Sequence, residues 1–153
     1  MKNLIKKIGL ADKDYQMISD GDKIAVGISG GKDSTLLLYA LEHYRIKSRK
    51  NFKVIGIHLN LGFKGDDYQI VKDYFDSINI ENIVYDTQVS EILELNKKDD
   101  KIQCSLCSKF KKGIVIQKAL ELGCNKVAFA HHADDAIETL FLNAIYGGKL
   151  ATF

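Results

Sequence analysis

The stretch Lys23-Ile24-Ala25-Val26-Gly27-Ile28-Ser29-Gly30-Gly31-Lys32-Asp33-Ser34 decides how the rest of the chain is read. Lys23 to Ser29 is a short, nearly continuous apolar run rich in β-branched residues, the pattern of a strand buried on both faces. Two glycines follow at once, and then a helical face over 33–45 with Leu36, Leu37, Leu38, Ala40 and Leu41. The glycines let the backbone turn tightly and approach an anion closely. The helix N-terminus offers unpaired N–H groups and a positive dipole end. Ser29 and Ser34 add hydroxyls and Lys32 adds a charge, so the loop favours phosphate. It matches neither common nucleotide motif. Counted from Gly27, Lys32 stands where G-x-x-x-x-G-K-[ST] needs its second glycine, and Ser29 takes the second glycine position of G-x-G-x-x-G. Read structurally, the same residues are a glycine turn with Asp33 or Ser34 capping a helix.

Working outward, strands and helices alternate. Residues 3–18 read as a short helix and a connection. Further strands are expected at Phe52–Leu61, Asn82–Thr87 and Lys126–Ala130. Helices are expected at Tyr68–Ile78, Val89–Asn96, Ser108–Leu122 and Asp134–Tyr146, with loops over 62–67 and 97–101. This order predicts an α/β fold, an open parallel sheet covered by helices on both faces. Such sheets bind ligands beyond the carboxyl ends of their strands, at the topological switch point. Residues 1–20 are expected to form the N-terminal helix and connection, and 21–153 the ligand-binding domain.

At 153 residues the chain is of one-domain size, and 46% apolar residues suffice for a core. A net charge of +2, from 22 basic and 20 acidic residues, is too balanced to mark a nucleic-acid binder by itself. Arg45 and Arg49 are the only arginines, and lysine suits bidentate base reading poorly. No apolar run reaches the ~20 residues of a membrane span. Met1 to Leu10 lacks the apolar core of a signal peptide. A cytoplasmic protein is therefore expected. Three cysteines argue against a disulfide framework.

Two more motifs carry chemistry. Ala130-His131-His132-Ala133-Asp134-Asp135 closes the fourth strand and opens a helix, with Glu138 and Thr139 one turn on. A carboxylate here could hold Mg²⁺ together with phosphate oxygens of a ligand on the glycine loop. Alternatively, Asp134 and Asp135 simply favour the helix dipole. Cys104-Ser105-Leu106-Cys107 precedes a helix bearing Lys109, Lys111 and Lys112. A C-x-x-C pair can bind zinc or an iron–sulfur cluster, or act as a redox pair. Cys124 lies beyond a helix of about 22 Å, at the opposite edge of the sheet, and reads as a buried structural thiol.

S-G-G-K-D-S after a strand resembles the PP-loop of the N-type ATP pyrophosphatases, whose fold is adenine nucleotide α-hydrolase-like. These enzymes split ATP between the α- and β-phosphates and activate a carbonyl oxygen as its adenylate. The order C-S-L-C-S-x-x-x-x-G-I, a helix ending E-L-G, H-H-x-D-D-x-x-E-T-L-F-L-N and Y-G-G-K resembles the tRNA 2-thiocytidine synthetases over roughly Asp12 to Lys149. The resemblance implies ATP binding by Ser29, Gly30, Gly31, Lys32, Asp33 and Ser34, with His131 from the fourth strand. It puts adenine at the exit of the second strand, Ile57 to Asn60, with Ile57 and His58 as contacts. It implies catalytic roles for Lys32, Asp33, Asp134 and Asp135, Mg²⁺ on Asp134, and a 4Fe–4S cluster with Cys104 and Cys107 as two ligands.

The implied reaction adenylates the C2 oxygen of an anticodon-loop cytidine, after which cluster-bound sulfur replaces it. The third cluster ligand comes in that family from a C-terminal cysteine pair. The chain is therefore expected to be the N-terminal ATP-binding part, ending before the last strands. Expected partners are tRNA and a sulfur donor such as a cysteine desulfurase, with a homodimer left open and no membrane. The lysines flanking the cysteine pair (Lys97, Lys98, Lys109, Lys111 and Lys112), with the Arg45–Lys53 segment, are the expected RNA contacts, a solvated charged surface being the other reading. The alternatives are a tRNA uridine thiolase, another PP-loop tRNA-modifying enzyme, or a nucleotide-binding module without catalysis.

Overall fold

A computed structural model describes residues 2–63, 68–98 and 100–152. Four strands, β1 (Lys23–Ile28), β2 (Lys53–Asn60), β3 (Asn82–Asp86) and β4 (Lys126–Ala128), form one parallel sheet in the order β3-β2-β1-β4. The helices are α1 (Lys2–Tyr15), α2 (Lys32–Ser48), α3 (Gln69–Ser77), α4 (Val89–Leu95), α5 (Cys104–Glu121) and α6 (Ala133–Tyr146). The expected α/β architecture is present. Residues 64–67 of the expected loop after β2, and Asp99 of the charged loop, lie outside the described residues.

Apolar runs on β1 and β2 bury both faces of the sheet. On one face Ile24, Val26, Ile28 and Val54 pack with Ile5 of α1, Leu38, Leu41 and Tyr44 of α2 and Phe75 of α3. On the other, Ala25, Ile55, Ile57 and Leu59 pack with Val89 and Leu93 of α4 and Val115 and Ala119 of α5. The N-terminal helix is fastened by a buried polar knot. Asp12, 1% exposed, accepts from Tyr44 Oη at 2.6 Å, Ile18 N–H at 2.8 Å and Lys50 Nζ. Burial pushes the Asp12 carboxyl up, but its bonds to Lys50, Tyr44 and Ile18 hold it below the usual range.

Two boundary differences from the sequence reading bear on the site. α5 begins at Cys104 rather than Ser108, because Cys107 N–H already donates to Gln103 O at 3.1 Å and closes the first turn. β4 stops at Ala128, since only Lys126, Val127 and Ala128 pair with β1. The chain is thereby released at Phe129, and the segment 129–132 lies free of the ladder at the carboxyl edge.

Candidate functional site

Chain order runs outward from β1 through β2 to β3, then returns to β4 on the other side of β1. The switch point therefore lies between β1 and β4. The two loops leaving those strands are the two motifs singled out in the sequence.

At the end of β1 the loop turns through Gly30, whose φ of +81° strongly favours glycine. Gly31 is extended and caps α2. Ser34, 4% exposed, braces the loop from beneath. Its Oγ donates to Gly31 O at 3.0 Å, accepts from Ser29 N–H at 3.1 Å and lies 3.1 Å from Ser29 Oγ. Thr35 N–H makes a backbone bond to Gly31 O at 3.2 Å, so the N–H groups of Lys32, Asp33 and Ser34 head the helix without intrahelical partners. Lys32 is exposed and Asp33 half-buried. A cavity of about 190 Å³ lies over this turn, between Gly31, Asp33 and Ser34 on one side and Ala130 and His131 on the other.

The β4 exit faces it. His132 Nε2 stands 3.5 Å from Asp33 Oδ2, linking the two motifs directly. Asp135 Oδ2 accepts the His132 N–H at 2.6 Å, so this carboxylate works as a helix cap. Asp134 is exposed on the same first turn. Among the described residues no three His, Cys, Asp or Glu side chains converge as a metal site.

A second cavity, also about 190 Å³, joins the loop to α5. Leu59, Tyr68, Val115 and Phe129 supply its apolar wall, and Ser29, His131, Ser108, Lys111 and Lys112 its polar rim. Phe129 reaches this place because Gly27 has no side chain. A Cβ there would stand 2.7 Å from the ring. Of the β2 exit residues, Leu59 lines the cavity. Ile57 is fully buried against α4 and α5, and His58, 1% exposed, lies on the opposite face of the sheet. Burial pushes the His58 imidazole down to about 4, so it is neutral near pH 7.

Cys104, exposed, and Cys107, half-buried, sit in the first turn of α5. Cys104, Ser108, Lys111 and Val115 recur at helical spacing, so the cysteine turn leads along one helix face into the second cavity. Cys124 follows the far end of this 18-residue helix, buried, with desolvation pushing its thiol up. At about 1.5 Å per residue the helix holds it some 25 Å from the pair. Tyr68 and Phe129 are site residues that the sequence reading did not pick out. An aromatic at the end of β4 level with a small residue in β1 was the available signal for Phe129.

A model of the PP-loop domain family matches residues 2–152. A tRNA-cytidine(32) 2-sulfurtransferase from Actinobacillus pleuropneumoniae is 40% identical over 149 residues, which is 97% of this chain and 47% of that protein. One from Dechloromonas aromatica is 40% identical over 97% of this chain and 52% of its own length. The solved structure of the U34-tRNA thiolase NcsA from Methanococcus maripaludis, with its 4Fe–4S cluster, superposes with a TM-score of 0.75 and 26% identity. It covers 95% of this chain and 49% of that one. An NAD⁺ synthetase from Burkholderia pseudomallei, at TM-score 0.54 and 19% identity, shares the fold. The chain spans about half the length of the curated relatives it matches.

Proposed function

The chain belongs to the PP-loop domain family, and we propose on that premise that it is the ATP-binding half of an ATP-dependent tRNA thiolation enzyme. One observation carries the reading. The glycine loop and the histidine–aspartate turn face each other at the switch point, and a single helix runs from that cleft to a cysteine pair. The N–H groups heading α2 and the Lys32 ammonium hold the pyrophosphate end of ATP and stabilise its charge as it departs. Asp33, half-buried beside His132, orients that end of the cleft. Asp134 holds Mg²⁺ with phosphate oxygens, and Asp135 keeps the turn in place. The cavity between Leu59, Tyr68 and Phe129 takes the nucleoside, with Ile57 behind it and His131 at its rim. Lys111 and Lys112 face the anionic substrates.

The target is a tRNA base oxygen, adenylated with loss of pyrophosphate and then replaced by sulfur from a donor such as a cysteine desulfurase. Cys104 and Cys107 fit two ligands of an iron–sulfur cluster, which when bound would deliver that sulfur. Among the described residues no third ligand joins them. The 2-sulfurtransferase relatives favour cytidine as the base, and the likeness to the U34 thiolase carries the alternative of uridine.

Calorimetry with Mg²⁺·ATP tests the site. Lys32→Ala and Gly31→Val should each weaken binding about tenfold or more, since the first removes a charged anion contact and the second sets a branched side chain on the loop beside Ser29 Oγ, where the backbone must approach the anion closely. Unchanged affinity in both refutes the assignment. Mass spectrometry of nucleosides from tRNA treated with the protein, ATP and a sulfur source separates thiolated cytidine from thiolated uridine.

A further inference from the structure

His58 is 1% exposed, and among the described residues neither of its ring nitrogens has a hydrogen-bond partner. A buried polar group left unpaired is rare and calls for a reason. The position of the ring supplies one. His58 pairs in register with Ile28, the last residue of β1 before the phosphate loop. The ring's Cε1 lies 3.9 Å from where a side chain on Gly30 would begin. Cε1 lies between the two nitrogens, so the ring edge that carries them is the one turned toward Gly30. Tyr68 packs edge-on against the ring with centroids 5.2 Å apart, holding it from the side of α3. Among the described residues the Gly30 N–H donates to nothing, and Ser29 N–H is already taken by Ser34.

We infer that His58 is a positioning residue for the phosphate loop, donating a ring N–H to a carbonyl of Ser29 or Gly30 when the loop closes on a polyphosphate. In a planar trans peptide the carbonyl and the following N–H point in opposite directions. A carbonyl held inward by His58 therefore aims the next N–H outward at the anion. It also keeps a carbonyl dipole from facing a phosphate oxygen. The unpaired nitrogens are then the free state of a contact completed by the ligand. The inference rests on the ATP-binding reading and gives His58 a task apart from the nucleoside cavity, which it does not line.

The test measures stability and affinity together at pH 7.5, on wild type, His58→Phe, His58→Met and His58→Gln. A purely structural histidine would lose stability and affinity in parallel. Here the apolar variants remove an unpaired buried polar group, so they should melt at or above the wild-type temperature. They should nevertheless bind both ATP and inorganic pyrophosphate about three- to tenfold more weakly, the loss of one ordinary hydrogen bond. His58→Gln retains an N–H donor and should bind within about twofold of wild type. His58→Met stands in if the phenylalanine ring is not accommodated. Wild-type affinity in a folded apolar variant overturns the inference, as does weak binding that tracks a lowered melting temperature in all three. A wild-type chain that binds neither ligand overturns the nucleotide reading, and this inference with it.

Discussion

The acid limb of the stability curve should be dominated by His58. In the unfolded chain its imidazole takes up a proton as pH falls through 6.5, whereas burial in the fold delays that to about 4. Between those values the unfolded state binds more protons, so folding stability declines as pH falls. At about 1.4 kcal/mol per pH unit, the gap from 6.5 to about 4 is worth about 3 kcal/mol. For a chain of this size that is a fall in melting temperature of about 6–12 °C. The perturbation is His58→Phe and the assay is thermal or urea unfolding of both proteins from pH 7.5 to 4. The other three histidines are common to both proteins and cancel in the comparison. Asp22, held at about 2 chiefly by Lys126, contributes its loss mainly below this window. The wild type should lose about 3 kcal/mol more than the variant across the window. Parallel curves for the two proteins would refute the argument that the buried ring stays neutral.

Asp12→Ala should cost about 3 kcal/mol, because it strips Tyr44 Oη, Ile18 N–H and Lys50 of a buried common acceptor; urea unfolding reads it directly, and a loss below about 0.5 kcal/mol would show the knot to be dispensable. The two aspartates after β4 should separate in their effects: Asp135→Ala should lower stability by about 1 kcal/mol through the helix cap, whereas Asp134→Asn should melt as wild type yet lose Mg²⁺-dependent ATP turnover. Equal melting and equal turnover in the two variants would contradict this division.

Much of this protein was legible in the residues alone, wherever a local pattern and a local cause coincide. Apolar β-branched runs can only be satisfied by burial on both faces, so the parallel sheet followed from Lys23–Ile28 and Lys53–Asn60. Glycines between such a strand and a helix turn the chain sharply and leave N–H groups at the helix head, so the loop over Ser29 to Ser34 followed as well. Tertiary structure decided what depends on neighbours distant in the chain. It set Asp33 against His132, turned Asp135 into a cap while leaving Asp134 exposed, and brought Tyr68 and Phe129 to one cavity. It also divided the β2 exit, sending Leu59 to the cavity and His58 to the opposite face beneath Gly30. Strand alternation announces that such neighbours part company. Only the sheet order, with β1 between β2 and β4, determines which side meets the cavity beside α5 and which meets the loop.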